Sequence, residues 1–137
     1  MIISHKHKFI FVKTKKTAGT SIEIALSKIC GEEDIITPIN RVDEEQRKLN
    51  NGRSPQNYFI PFQYYNYDDW LKLFFRFKRK QFRNHNTAEE IKNNIDPNIW
   101  NSYYKFCFER NPFDKVLSHF FWRGGHDKFS SIEEYIQ

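Results

Sequence analysis

Only two cysteines stand among 137 residues, Cys30 and Cys107, and their separation fits neither a metal-ligand spacing nor a disulfide framework. Both read as small buried apolar residues of a chain kept in a reducing compartment. Long apolar runs are missing too, so the sequence offers no transmembrane helix and no secretory signal. The expectation is a soluble cytoplasmic protein with no membrane partner. His5 and His7 stand two apart with no further ligand type nearby, so they read as solvated residues of a basic leader, Met1 to Lys8, and no metal is expected. Acidic residues are outnumbered, 17 against 22, for a formal net charge of +5. That balance favours polyanionic partners (nucleic acid, anionic lipid, phosphorylated or sulfated small molecules) without choosing among them. Aromatic residues, by contrast, are plentiful at 18%, and 39% of the chain is apolar. This is enough for a real core, and residues 1–137 read as one domain.

The chain is organised around Lys13-Thr14-Lys15-Lys16-Thr17-Ala18-Gly19-Thr20-Ser21. Phe9-Ile10-Phe11-Val12 before it reads as a buried strand. After it, apolar residues at 22, 25, 26 and 29 form the stripe of an amphipathic helix, and Gly31 suits its end. A strand–loop–helix with cations, hydroxyls and a glycine at the turn is an anion site in outline. The helix start offers unpaired N–H groups and partial positive charge. Gly19 lets the backbone approach the anion, and Lys16 places an ammonium on it. The P-loop of nucleotide hydrolases is not matched, because Thr14 stands where its first glycine belongs and Thr20 where its lysine belongs.

Ile35-Ile36-Thr37 reads as a short strand ended by Pro38. From about 40 to 57 apolar periodicity disappears, and the stretch reads as a surface loop or short exposed helix. Residues 58–83 interleave aromatics with cations. An amphipathic helix from Asp69 to Phe82, aromatics inward and cation stems outward, is one reading. An acceptor groove is a second, and a nucleic-acid surface a third.

Thr87 and Glu90 stand at capping-box spacing, so a helix should begin at Ala88 with His85 just outside it. His85 either points into a cleft, where its near-neutral pKa suits it to take a proton from a hydroxyl, or bonds the local loop. Asp96-Pro97 marks another helix start. The run 104–108 is strand-like. Asn111 then suits an N-cap, Pro112 the first helical position, and Phe113, Val116, Leu117, Phe120 and Phe121 a helical stripe ended by Gly124-Gly125. The order strand, polar turn, helix therefore occurs twice. Arg110 falls at the carboxyl end of the second strand, where α/β sheets bind ligands, and its fork of donors fits a terminal phosphate.

Taken together, the two turns resemble the sulfotransferases that use 3′-phosphoadenosine 5′-phosphosulfate (PAPS), most closely their carbohydrate sulfotransferase branch. The order lysine-threonine-alanine-glycine-threonine-serine, Lys16 to Ser21, resembles the 5′-phosphosulfate loop, although Lys15 stands where that family often has proline. Arg110-Asn111-Pro112 with Ser118 resembles the 3′-phosphate motif, and His85 followed by Ala88 resembles a segment on the acceptor side. The resemblance covers roughly residues 8–136. It implies a three-layer α/β/α fold with a short, mainly parallel sheet, and a continuation of that fold beyond this chain's C-terminus.

The resemblance implies PAPS as donor, bound by Lys16, Thr17, Ala18, Gly19, Thr20, Ser21, Arg110 and Ser118. Lys16 and His85 would be catalytic, no metal would be required, and the acceptor would be a hydroxyl or amine, a carbohydrate above all. Two rivals remain in view: a P-loop-type nucleotide kinase or hydrolase, and a non-enzymatic binder of polyanions or nucleic acid.

Overall fold

The computed structural model of the chain describes residues 1–136. Four short strands form one sheet in the order β3-β1-β2-β4. These are β1 (Ile2–Ser4), β2 (Phe9–Phe11), β3 (Ile35–Ile36) and β4 (Tyr104–Phe106). The sheet is mixed. β1 runs antiparallel to both β2 and β3, and β2 runs parallel to β4. This corrects the expected mainly parallel sheet, and the reason lies in the first eight residues. They are no basic leader: Ile2 and Ile3 are fully buried, and the chain reverses through His5–Lys8 to pair Ile3 with Ile10. Alternation along such short strands sends one set of side chains to each face. Ile2, Phe9, Phe11 and Ile36 cluster with Cys30, covered by Ile22 and Leu26. Met1, Ile3 and Ile10 pack with Ile60, Phe82, Ile91 and Ile95.

Eight helices accompany the sheet among the described residues. α1 (Gly19–Ser27) carries Ile22 and Leu26 onto the sheet, yet its fully buried residues are polar, Glu23 and Ser27. α2 (Arg41–Leu49) fills the stretch without apolar periodicity, capped by Asn40, whose side chain accepts from the Asp43 amide. α3 (Tyr67–Arg76) begins at an Asn66–Asp69 capping box and ends six residues earlier than expected, and its aromatics are largely exposed instead of packed inward. α4 (Ala88–Lys92) and α5 (Pro97–Ser102) start where Thr87 and Asp96 cap them. α6 (Pro112–Trp122) starts at Asn111, whose side chain accepts from the Phe113 amide. Of its stripe only Phe120 is buried, while Phe113, Leu117 and Phe121 are exposed. α7 (Gly125–Lys128) and α8 (Ile132–Ile136) close the described chain. No helix among the described residues is long and apolar enough to cross a membrane.

The cysteines divide. Cys30 is buried and Cys107 is exposed, which corrects the expectation for the second. Burial, reinforced by Asp34, pushes the Cys30 thiol up to about 12.

Candidate functional site

Because β2 and β4 are parallel neighbours, the chain leaves both at the same edge of the sheet. The two polar turns therefore start side by side. Pairing continues one residue further, with the Val12 amide donating to the Phe106 carbonyl at 2.9 Å. Beyond it, the Thr14 hydroxyl donates to the Phe108 carbonyl. A single threonine thus ties the first turn to the second, two residues before Arg110.

The β2–α1 turn is shaped by two left-handed residues, Lys16 (φ 61°) and Ala18 (φ 56°). Side chains other than glycine adopt this region at a cost, and such outliers gather at functional turns. Thr17 is buried inside the turn, its hydroxyl 3.2 Å from the Thr14 carbonyl and 2.8 Å from the Thr14 hydroxyl. It holds the turn together from within and does not line the cleft. Ala18 caps α1 without a side-chain bond, and no acidic residue occupies the first turn. The amides of Gly19, Thr20 and Ser21 are thus left to the helix's partial positive charge, a setting that favours an anion. Glycine at 19 has a packing reason as well: a Cβ there would sit 2.8 Å from Lys13 Cγ.

Lys13 is the residue the sequence reading passed over. It is buried, with Nζ 2.9 Å from the Thr20 hydroxyl and 3.0 Å from Glu23 Oε2. Glu23 is itself fully buried, its Oε1 3.1 Å from Arg47 Nη2 and 3.2 Å from the Met1 amine. Thr37 donates to the same oxygen at 3.3 Å. One carboxylate therefore gathers two buried side-chain cations, Lys13 and Arg47, together with the Met1 amine, whose pKa burial lowers to about 5, and through Lys13 it fixes Thr20. Local spacing gave no sign of this, since Lys13, Lys15 and Lys16 are alike as sequence and differ only in which way the backbone turns them.

In front of the turn lies a cleft of about 710 Å³. Its walls bring together Lys16, Ala18, Gly19, Thr20 and Ser21 from the first turn, Arg110 and Ser118 from the second, and His85. Every candidate except Thr17 faces this one space. Asn84, His119, Trp122 and Arg123 also line it; the sequence reading of α6 took only its apolar stripe and Ser118, and Asn84 carried no motif. The Lys16 ammonium rests 5.0 Å from the centre of the Trp122 ring, a cation–π distance. Arg110 is only loosely engaged, its Nε 4.0 Å from Asp114, while Glu109 is taken by Lys115 at 2.8 Å. Its guanidinium therefore keeps donors for a ligand.

His85 meets the Lys13 carbonyl through Nδ1 at 3.1 Å. A carbonyl only accepts, so Nδ1 carries the proton and, in the neutral ring, Nε2 is a free base. Partial burial lowers the His85 pKa, and the nearby Lys13 and Lys15 charges push the same way against that hydrogen bond. One space thus brings together a helix start with unpaired amides and a lysine, the Arg110 guanidinium from the second turn, and a histidine whose Nε2 is unprotonated in the neutral ring. Among the described residues, no group of three or more metal-ligating side chains gathers.

Comparison with curated proteins and with solved structures found no match. A family model, described as the sulfotransferase family, matches residues 1–134. This match takes in both turns, His85 and nearly the whole chain, which belongs to the sulfotransferase family.

Proposed function

We propose that the chain transfers a sulfuryl group from PAPS to a hydroxyl of an acceptor, a carbohydrate following the resemblance of its two turns. The observation that carries this reading is the shared cleft: two turns distant in sequence offer cations to one space of about 710 Å³, a volume within the range of nucleotide-sized ligands. PAPS has an anionic group at each end of one nucleoside, which calls for two separate cationic holds. The β2–α1 turn would take the 5′-phosphosulfate, and Arg110 with Ser118 the 3′-phosphate. We also read α1 on one face of the sheet, and α4 and α5 toward the other, as the three-layer order of such folds.

In the reaction, His85 Nε2 accepts the proton of the acceptor hydroxyl as its oxygen attacks sulfur. The bond from sulfur to the bridging oxygen breaks, and the bonding pair stays on the phosphate that leaves. Negative charge grows on that oxygen, where Lys16 and the amides of Gly19, Thr20 and Ser21 are placed to stabilise it. Lys13 acts one step back by holding Thr20, and Thr17 by holding the turn.

Two outcomes follow. The base works only when neutral, and its pKa is lowered. The acid limb of kcat/KM should therefore have its midpoint below the ordinary histidine value of 6.5, and a pH–rate profile checks it. A midpoint above that value would remove His85 from the role. In calorimetric titrations, Arg110→Ala should weaken binding of 3′-phosphoadenosine 5′-phosphate by roughly tenfold to a hundredfold, the worth of a charged hydrogen bond. Adenosine 5′-phosphate, which lacks the 3′-phosphate, should bind wild type and variant alike. Equal loss for both ligands would place Arg110 elsewhere.

A further inference from the structure

The segment from Lys72 to Arg83 takes no part in the cleft described above, yet it holds the densest run of positive charge in the chain. Lys72, Arg76, Lys78, Arg79, Lys80 and Arg83 fall within twelve residues that contain no acid. Five of these cations, Lys72, Arg76, Lys78, Arg79 and Arg83, converge with Lys80 on a concave surface of about 280 Å³. The nearest carboxylate, Asp69, is already neutralised by Lys80 at 2.8 Å. Lys72, Arg76, Lys78 and Arg83 form no ion pair among the described residues, so the depression carries uncompensated positive charge.

Three phenyl rings stand beside it. Phe74, Phe75 and Phe77 are 78%, 72% and 90% exposed. The side chain of Arg79, in contrast, is folded back over Phe59 and Phe62 at 4.5 and 5.4 Å. The aromatic residues of the preceding stretch thus pack among themselves, Trp70 against Phe62 and Tyr65, while those at the C-terminal end of α3 project into solvent. Charge and bare rings on one amphipathic helix end are the two properties of an element that lies in a bilayer interface.

We propose that the C-terminal end of α3 and the segment following it dock the protein on an anionic lipid surface. Phe74, Phe75 and Phe77 enter the interface, and Lys72, Arg76, Lys78 and Arg83 meet headgroup phosphates and carboxylates. A soluble polyanion would satisfy the cations but leave three phenyl rings in water, and a lipid surface covers both. Arg83 is followed directly by Asn84 and His85, which line the cleft.

The test is co-sedimentation of the full chain with phosphatidylcholine vesicles and with vesicles of phosphatidylcholine mixed with phosphatidylserine. Wild type should bind only the mixed vesicles and release with added salt. Each cation near an anionic surface contributes about fivefold, so joint replacement of Lys72, Arg76 and Lys78 by Gln should weaken binding on the order of a hundredfold. Joint replacement of Phe74, Phe75 and Phe77 by Ser should abolish vesicle binding while leaving retention on a heparin column unchanged. These positions are exposed, and an unchanged melting curve shows that both variants fold. The proposal fails if the phenylalanine variant still binds vesicles like wild type. It fails equally if wild type ignores phosphatidylserine and binds only heparin, which would make the patch a polyanion site.

Discussion

Replacing Lys16 by Ala should lower kcat for sulfuryl transfer by roughly a hundredfold to a thousandfold, the usual worth of one donor aimed at developing charge. The expectation rests on where the residue sits. Lys16 occupies a left-handed position in the β2–α1 turn (φ 61°) and lines the cleft with the amides that begin α1. Charge on the bridging oxygen of the donor is small in the bound ground state and large as the sulfur–oxygen bond breaks. An ammonium there stabilises the transition state more than the complex that precedes it. The loss should therefore appear in kcat, with donor affinity changed much less. Initial rates with radiolabelled PAPS, measured over a range of donor concentrations, separate the two. A variant whose KM for PAPS rises while kcat holds would show that Lys16 only binds.

Glu23→Ala should cost about 3–5 kcal/mol of stability, the usual penalty for removing one partner of a buried ion pair. In a domain of this size that amounts to a fall in melting temperature of roughly 10–20 °C. Glu23 is fully buried and compensates Lys13 at 3.0 Å and Arg47 at 3.1 Å. Without the carboxylate, buried Lys13 loses its one ion pair among the described residues and what aims it at Thr20, while Arg47 keeps only Glu44 at 3.0 Å. By comparison, Arg41→Ala breaks only the exposed Arg41–Glu45 pair at 3.4 Å and should leave the melting temperature unchanged. Thermal unfolding followed by circular dichroism compares the two. Equal melting temperatures for Glu23→Ala and wild type would mean that the buried network contributes nothing.

Local features of the fold were legible because they are written locally. Thr87 with Glu90, Asp96 with Pro97 and Asn111 with Pro112 each announce a helix start through groups that bond within three residues, and each helix begins there. The sheet was not legible in the same way. β1 is three residues long, its Ile2 and Ile3 too brief a run to show a period, and the lysines around its turn made it look solvated. Its antiparallel pairing is a long-range choice that no local pattern encodes.

The buried face of α1 was legible only in part, for a related reason. Of the stripe at 22, 25, 26 and 29, Ile22 and Leu26 pack on the core, but the residues buried outright are Gly19, Glu23 and Ser27. A charge can be buried when partners surround it, and here the partners come from Lys13, Arg47 and Met1, distant in sequence. The apolar stripe of α6 and the rings of α3 misled in the opposite direction: periodicity predicted burial, and most of those side chains are exposed.

As for the candidate site, its residues could be picked out as types and spacings, because each strand–turn–helix that carries them is a local pattern. That they share one space depends on β2 and β4 being adjacent and parallel, which the spacing could not state.

The most direct measurement is a crystal structure of the protein with 3′-phosphoadenosine 5′-phosphate bound. The predicted result is one nucleotide spanning the cleft, its 5′-phosphate on Lys16 and the amides of Gly19 to Ser21, and its 3′-phosphate on Arg110 and Ser118. A nucleotide that touches only one of the two turns, or that binds outside the cleft, would contradict it.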